Sequence, residues 1–131
     1  MTGDAVITGM ATIDRRERQA RSARWCLQAF GEASANNPRT RALRLLEEAL
    51  ELFQAEGGDR EQAIRLADRV FGRPPGESFR EAGGVGVTLL NYCAAVGIDA
   101  DACEAAELDR VLTRSLADAK ARHDAKRDAG F

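Results

Sequence analysis

The stretch Leu45-Leu46-Glu47-Glu48-Ala49-Leu50-Glu51-Leu52-Phe53 threads three carboxylates through leucines. A helix turns by about 100° per residue, so Glu48 and Glu51 lie one turn apart and Glu47 flanks both. Leu43, Leu46, Leu50 and Phe53 recur at spacings of three and four, the stripe of an amphipathic helix, with Ala42 and Ala49 beside it. Carboxylates stacked in this way repel unless something positive sits between them. A hard divalent cation such as Mg²⁺ would serve, since it takes one or two carboxylates plus phosphate oxygens and water. An arginine would serve as well. Periodicity alone favours solvated charges, because the three glutamates lie roughly opposite the stripe and Arg44 stands at helical spacing from Glu47 and Glu48.

On the N-terminal side, Asn37 as cap with Pro38 at the first helical position marks where this helix begins. It runs to about Glu56, and Gly57-Gly58 stops it. Asp59 then caps a third helix, with Gln62 completing a capping-box pattern. Ala63, Ile64, Leu66, Ala67, Val70 and Phe71 supply its buried face, and Gly72-Arg73-Pro74-Pro75-Gly76 ends it. A second capping box, Ser78 with Glu81, opens a fourth helix that continues to Val96 and closes at Gly97-Ile98. Gly83, Gly84 and Gly86 inside it each cost about 1 kcal/mol relative to alanine, which predicts a closely packed neighbouring helix around Gly83 and Gly86. Val85-Gly86-Val87-Thr88 also has β character, but the continuing apolar run favours the helix. Asp99 or Asp101 opens a last helix that reaches about Lys126, with Leu108, Val111, Leu112, Leu116 and Ala119 as its stripe.

Upstream, Asp14 to about Phe30 forms a first helix whose start carries Arg15, Arg16, Arg18, Arg21 and Arg24. Such a cluster suits phosphate or nucleic acid. A solvated face interrupted by Glu17 and Gln19 is the favoured reading, because the chain as a whole carries a net charge of −2. Residues 31–37 read as a loop, and residues 1–13 as a flexible arm ahead of a single domain over 14–131. The expected fold is all-α: an antiparallel bundle of about five helices, four of them forming the core.

Composition narrows the function. Charged residues make up 31% and aromatics only 5%, which favours helices over a β-sandwich. Cys26, Cys93 and Cys103 are an odd, scattered set, so neither a disulfide framework nor a cysteine zinc site is expected, and they read as small buried hydrophobes. One histidine, His123, cannot build a histidine metal site alone. Trp25, Phe30 and Tyr92 read as core or subunit interface rather than a base-stacking site. No basic start with an apolar run marks a secretory signal, and no stretch nears the roughly 20 apolar residues of a membrane span. A cytoplasmic protein without membrane association is the expectation, with nucleic acid an unlikely partner.

The motifs together carry a resemblance. Leu46-Glu47-Glu48-Ala49-Leu50-Glu51 is similar to the EExxE signature of the MazG-like superfamily of all-α nucleoside triphosphate pyrophosphohydrolases. That family places an ExxD motif on a second helix, and here Glu81-Ala82-Gly83-Gly84 follows in the same order. Phe71-Gly72-Arg73-Pro74, Glu77, Glu81, Gly83-Gly84-Val85 and Thr88-Leu89 resemble a phage and bacterial subgroup, as do Trp25 and Phe30-Gly31-Glu32 of the opening helix. The resemblance spans roughly residues 22–125.

It implies that Glu48, Glu51 and Glu81 hold Mg²⁺, or Mn²⁺, against the phosphates of a nucleoside triphosphate. Glu47 and Glu48 would then be the catalytic carboxylates, with Glu47 orienting or activating water. Gly84 departs from the pattern, standing where the family has its aspartate. Asn91, two turns on, is a substitute ligand, with Asp68 and Asp101 behind it. Arg73, Arg110 and Arg114 are candidates for the outer phosphates, since a guanidinium fork suits phosphate oxygens. The implied reaction releases a nucleoside monophosphate and pyrophosphate. The alternative is a catalytically degenerate helical protein that binds nucleotide or another protein. Either version is expected to work as a homodimer or homotetramer, because helices rich in glycine and short of aromatics need a partner to cover them.

Overall fold

The computed structural model describes residues 13–131, so the expected arm over 1–13 lies outside the described residues except for its last position. Every described element is a helix, in the order α1 (Arg15–Phe30), α2 (Glu32–Ala35), α3 (Pro38–Ala55), α4 (Arg60–Phe71), α5 (Ser78–Val96), α6 (Ala100–Leu112) and α7 (Leu116–Asp128). The all-α class holds, with seven helices among the described residues rather than five. Two changes account for the difference. The loop over 31–37 contains the single turn α2, and the expected last helix breaks in two at Thr113-Arg114-Ser115. At the break Thr113 Oγ1 donates to the Arg110 carbonyl at 2.8 Å, and Ser115 Oγ accepts from the Asp118 N–H at 3.3 Å to cap a new helix. Both hydroxyls satisfy backbone groups that a continuous helix would have paired internally.

Most other boundaries follow the capping chemistry. Asp14, Asp59 and Asp99 accept from the N–H groups of Glu17, Gln62 and Ala102 at 2.8, 2.7 and 3.0 Å. Gly97 closes α5 at φ 74°, a left-handed conformation cheap only for glycine, and the Ile98 N–H returns to the Cys93 carbonyl at 2.9 Å. The expected Ser78–Glu81 capping box does not form. The Glu81 N–H bonds to the Glu77 carbonyl at 3.0 Å, so Ser78 is already the first helical residue. Residues 85–88 are helical, which settles the alternative of a strand.

The backbone divides into two compact units. One takes in the described residues up to Asn37 together with Gly86–Phe131, and the other is Pro38–Val85. In the first unit α1 is the hub, packing on α2, α6 and α7. Its core is small: Ala29, Cys93, Ala105 and Ala119 are buried, along with the charged Arg18. Arg18 Nε bonds Glu104 Oε1 at 2.9 Å, its Nη1 bonds the Ile13 carbonyl at 2.9 Å, and its Nη2 pairs with Asp101. Arg15 reaches Glu104 as well, at 3.0 Å, while Arg21 and Arg24 turn to Glu17. The reading of the whole arginine cluster as a solvated face is thus corrected at Arg18, which ties α1 to α6. Glu104, ahead of Asp101, holds its guanidinium pKa above the ordinary value against the opposing effect of burial.

The Pro38–Val85 unit contains no buried residue. The expected buried face of α4 is open: Ile64, Leu66 and Val70 are about half exposed and Phe71 almost fully so. The expected close neighbour of α5 is not found among the described residues either, since a Cβ added at Gly83, Gly84 or Gly86 would meet nothing of theirs within 4 Å. A sequence pattern states which face needs cover, and the described residues of this unit leave these faces open. The α3–α4 joint is tightly filled. A Cβ on Gly58 would lie 2.5 Å from the Phe53 ring. Replacing Gly58 with alanine is therefore expected to displace that ring and cost about 1 kcal/mol, read as a lowered unfolding midpoint in urea.

Candidate metal and phosphate site

The acidic stretch lies on α3 as expected. Glu48 and Glu51 are exposed one turn apart, and Glu47 is half-buried beside them. Glu81 sits in the first turn of α5, exposed, in the same unit. Its carboxyl lies back over the preceding loop, so that a Cβ on Gly76 would come within 3.0 Å of Glu81 Cδ. Neither Glu51 nor Glu81 makes a side-chain hydrogen bond or ion pair among the described residues, so both carboxylates are available to a ligand from outside.

Donor chemistry and donor placement are separate matters. Exposed carboxylates are the hard oxygen donors that Mg²⁺ prefers. Within one chain, though, no three His, Cys, Asp or Glu side chains of the described residues gather closely enough to hold a metal ion. Glu48 and Glu51 share a helix face, and the single chain does not draw Glu81 into a group of three with them.

The candidate phosphate arginines divide between the units. Arg73 lies exposed in the turn after α4, where its N–H bonds the Val70 carbonyl at 3.1 Å and its side chain has no ionic partner among the described residues. Arg110 and Arg114 belong to the other unit. Arg110 holds Glu107 in a forked contact, with Nε at 2.9 and 3.2 Å from the two carboxylate oxygens. That bond, and more weakly the nearby charge of Arg114, keeps the Glu107 carboxyl below its usual pKa. A phosphate would have to displace Glu107 to claim Arg110. Asn91 is exposed on the part of α5 that belongs to the Arg110 unit. Asp101 pairs with Arg18. Asp68 remains exposed on α4.

One polar cluster escaped sequence reasoning. Ser34 Oγ and His123 Nε2 are 2.9 Å apart, although they are 89 residues apart in the chain, a separation that leaves no local signal. Phe30 stacks on the His123 ring at 4.7 Å and meets Trp25 edge to face at 5.5 Å. These aromatics are half-buried packing elements of the α1 unit, in line with the core reading. Of the thiols, Cys93 is buried and Cys26 half-buried, but Cys103 is exposed, which corrects its reading as buried.

No family model matches this chain, and no curated protein or solved structure matches it. Among the described residues no single helix is long and apolar enough to cross a membrane; α5 and α6 would reach that length only as a pair bent by 106°.

Proposed function

We propose that the protein is a Mg²⁺-dependent nucleoside triphosphate pyrophosphohydrolase of the MazG-like type, active as a homodimer or homotetramer. The observation that carries this reading is the pair of exposed carboxylates on α3, Glu48 and Glu51, with the uncommitted carboxylate of Glu81 in the same unit. Bound Mg²⁺ would neutralise phosphate charge and orient the α–β linkage. Glu47, with Glu48, positions a water and accepts its proton. The water oxygen forms the new bond to the α-phosphorus, and the α–β bridging oxygen leaves with pyrophosphate. Arg73, in the same unit as the acidic residues, is the candidate for steadying the outer phosphates, with Arg110 and Arg114 as the other candidates. The described residues of one chain form no group of three carboxylates, and this reading places the full donor set in the assembled oligomer.

The test is incubation with a panel of nucleoside triphosphates and Mg²⁺, following pyrophosphate and monophosphate. Release that stops on chelation supports the proposal. Triphosphate binding with no turnover supports the second reading, a degenerate nucleotide-binding module, which Gly84 favours. Gly84 itself offers a gain-of-function prediction. Open space surrounds the position where its Cβ would be, and residue 84 is three residues from Glu81 on the same helix. Replacing Gly84 with aspartate is expected to fold normally and tighten Mn²⁺ binding about tenfold by calorimetry, since it adds one hard ligand and negative charge.

A further inference from the structure

Cys93 and Cys103 stand at equal distance in sequence from Ile98, one near the end of α5 and the other near the start of α6. The short turn between the helices holds both. The Ile98 N–H returns to the Cys93 carbonyl at 2.9 Å, and the Cys103 N–H bonds the Asp99 carbonyl at 3.0 Å. The chain bends by 106° from α5 to α6, and the Cys103 thiol donates at 3.3 Å to the carbonyl of Ala100, the first residue of α6. The two side chains meet at this corner, where Cys103 is in hydrogen-bonding contact with the Cys93 thiol. Burial of its sulfur raises the Cys103 pKa above the ordinary thiol value, and the neighbouring Cys93 adds to the rise.

The two thiols differ in access. Cys93 is buried, whereas Cys103 is exposed. A buried thiol by itself is inert, because no reagent reaches it. Beside an exposed thiol its position changes. Thiol–disulfide exchange runs through a mixed disulfide, and a second thiol in contact with that intermediate displaces the reagent from it. Burial shields Cys93 from solvent-borne reagents but not from Cys103. An open thiol with a shielded one in contact is the arrangement of an attacking and a resolving cysteine. Cys26 lies on α1, half-buried, and supplies an internal control.

We infer that Cys93 and Cys103 form a reversible dithiol–disulfide pair, closed by a low-molecular-weight disulfide of the glutathione type. The Cys103 sulfur, having given its proton to solvent, attacks one sulfur of the reagent. A mixed disulfide forms and the first reagent thiol leaves. Cys93 then loses its proton, attacks Cys103 Sγ and expels the second reagent thiol. The two cysteines are oxidised by two electrons and the reagent disulfide is reduced to two thiols, so no further oxidant enters. Excess thiol runs both steps backwards. The new bond joins the end of α5 to the start of α6, next to Glu104, which holds Arg18. Neither thiol belongs to the proposed metal and phosphate site, so the inference does not rest on the proposed function.

The test treats the full folded chain with oxidised glutathione in mildly alkaline buffer, then blocks free thiols and reads the intact mass. The parent chain is expected to lose the mass of two hydrogens. Cleavage before Asp99 and Asp101 should then release the Cys93 and Cys103 peptides as one linked pair that parts on reduction. Cys93→Ala should stop at a glutathione adduct on Cys103. An intramolecular thiol acts at an effective concentration far above that of glutathione, so this adduct should be at least about 100-fold more abundant than in the parent. Cys103→Ser should leave Cys93 unmodified. Circular dichroism checks the helicity of each variant, and should Cys93→Ala lose it, the linked peptides of the parent decide alone. A glutathione adduct that persists on Cys103 in the parent would overturn the inference. So would a disulfide to Cys26, a cross-link between two chains, or Cys93 and Cys103 thiols that both stay free. None of these results bears on pyrophosphate release, so the two proposals fail separately.

Discussion

Replacing Glu51 with glutamine is expected to lower pyrophosphate release at least 100-fold while leaving the helical circular dichroism and thermal midpoint nearly unchanged. The two halves of that expectation have different origins. Glu51 is exposed on α3 and has no hydrogen bond or ion pair among the described residues, so the fold gains little from its charge. Substitutions at such surface positions stay within about 0.5 kcal/mol. Glutamine keeps the length and one oxygen of the side chain but loses the negative charge that a hard cation requires. Loss of one group that stabilises developing charge typically costs about 10²–10³ in rate. Glu56 to glutamine, just past the end of the same helix and outside the motif, is the matched control and should retain activity. Equal loss in both variants would point to the overall field of the helix. Equal retention would remove the acidic stretch from the chemistry.

Local chemistry made much of the backbone readable in advance. Asp14, Asp59 and Asp99 start helices because a short carboxylate side chain satisfies an orphaned N–H, and Gly97 ends one because the turn needs a left-handed residue. The break at Thr113–Ser115 was harder, since neither glycine nor proline marks it. The available signal was Ser115 three residues ahead of Asp118, the same start signal that is decisive elsewhere in the chain. The fate of each face was legible only in part. Periodicity located the apolar stripes of α3 and α4, but the expected burial is not found, because burial depends on a packing partner and a helical period carries no information about one. The acidic residues show the same division. Their helix, spacing and exposure follow from the sequence, whereas bringing Glu81 to the α3 pair, as the proposed function requires, would depend on tertiary or quaternary placement that helical spacing does not encode. Arg18 is the sharpest case. It looked like one of five solvated arginines, and only the partners Asp101 and Glu104, more than 80 residues away, make it different.

That difference carries the largest expected effect on stability. Arg18 retains only 3% of its surface in contact with solvent, and it is the one charged side chain buried among the described residues. Its three nitrogens point in three directions, to Glu104, Asp101 and the Ile13 carbonyl, and together they fasten the start of α1 to α6. Methionine would fill much of the same volume but leave both carboxylates facing an apolar tip. Removing one member of a fully buried ion pair costs about 3–5 kcal/mol. Here the Glu104 and Asp101 side chains are 33% and 61% exposed, so water can take over part of their solvation and the cost falls to about 2 kcal/mol. For a domain of this size that corresponds to roughly 6–10 °C in thermal midpoint. Lysine should recover less than half of the loss, because a single ammonium cannot span three acceptors set by a planar fork. Since the guanidinium pKa is raised in the folded state, its contribution is fully present below the ordinary arginine value and is lost only as pH climbs through the higher folded one. The deficit of Arg18→Met relative to the parent should therefore show no dependence on the arginine's own titration between pH 6 and 9, windows set by roughly neutral buffers. A midpoint within 2 °C of the parent, roughly the scatter expected of a surface substitution, would mean that the remaining contacts, Arg15 with Glu104 among them, hold α1 to α6 without Arg18.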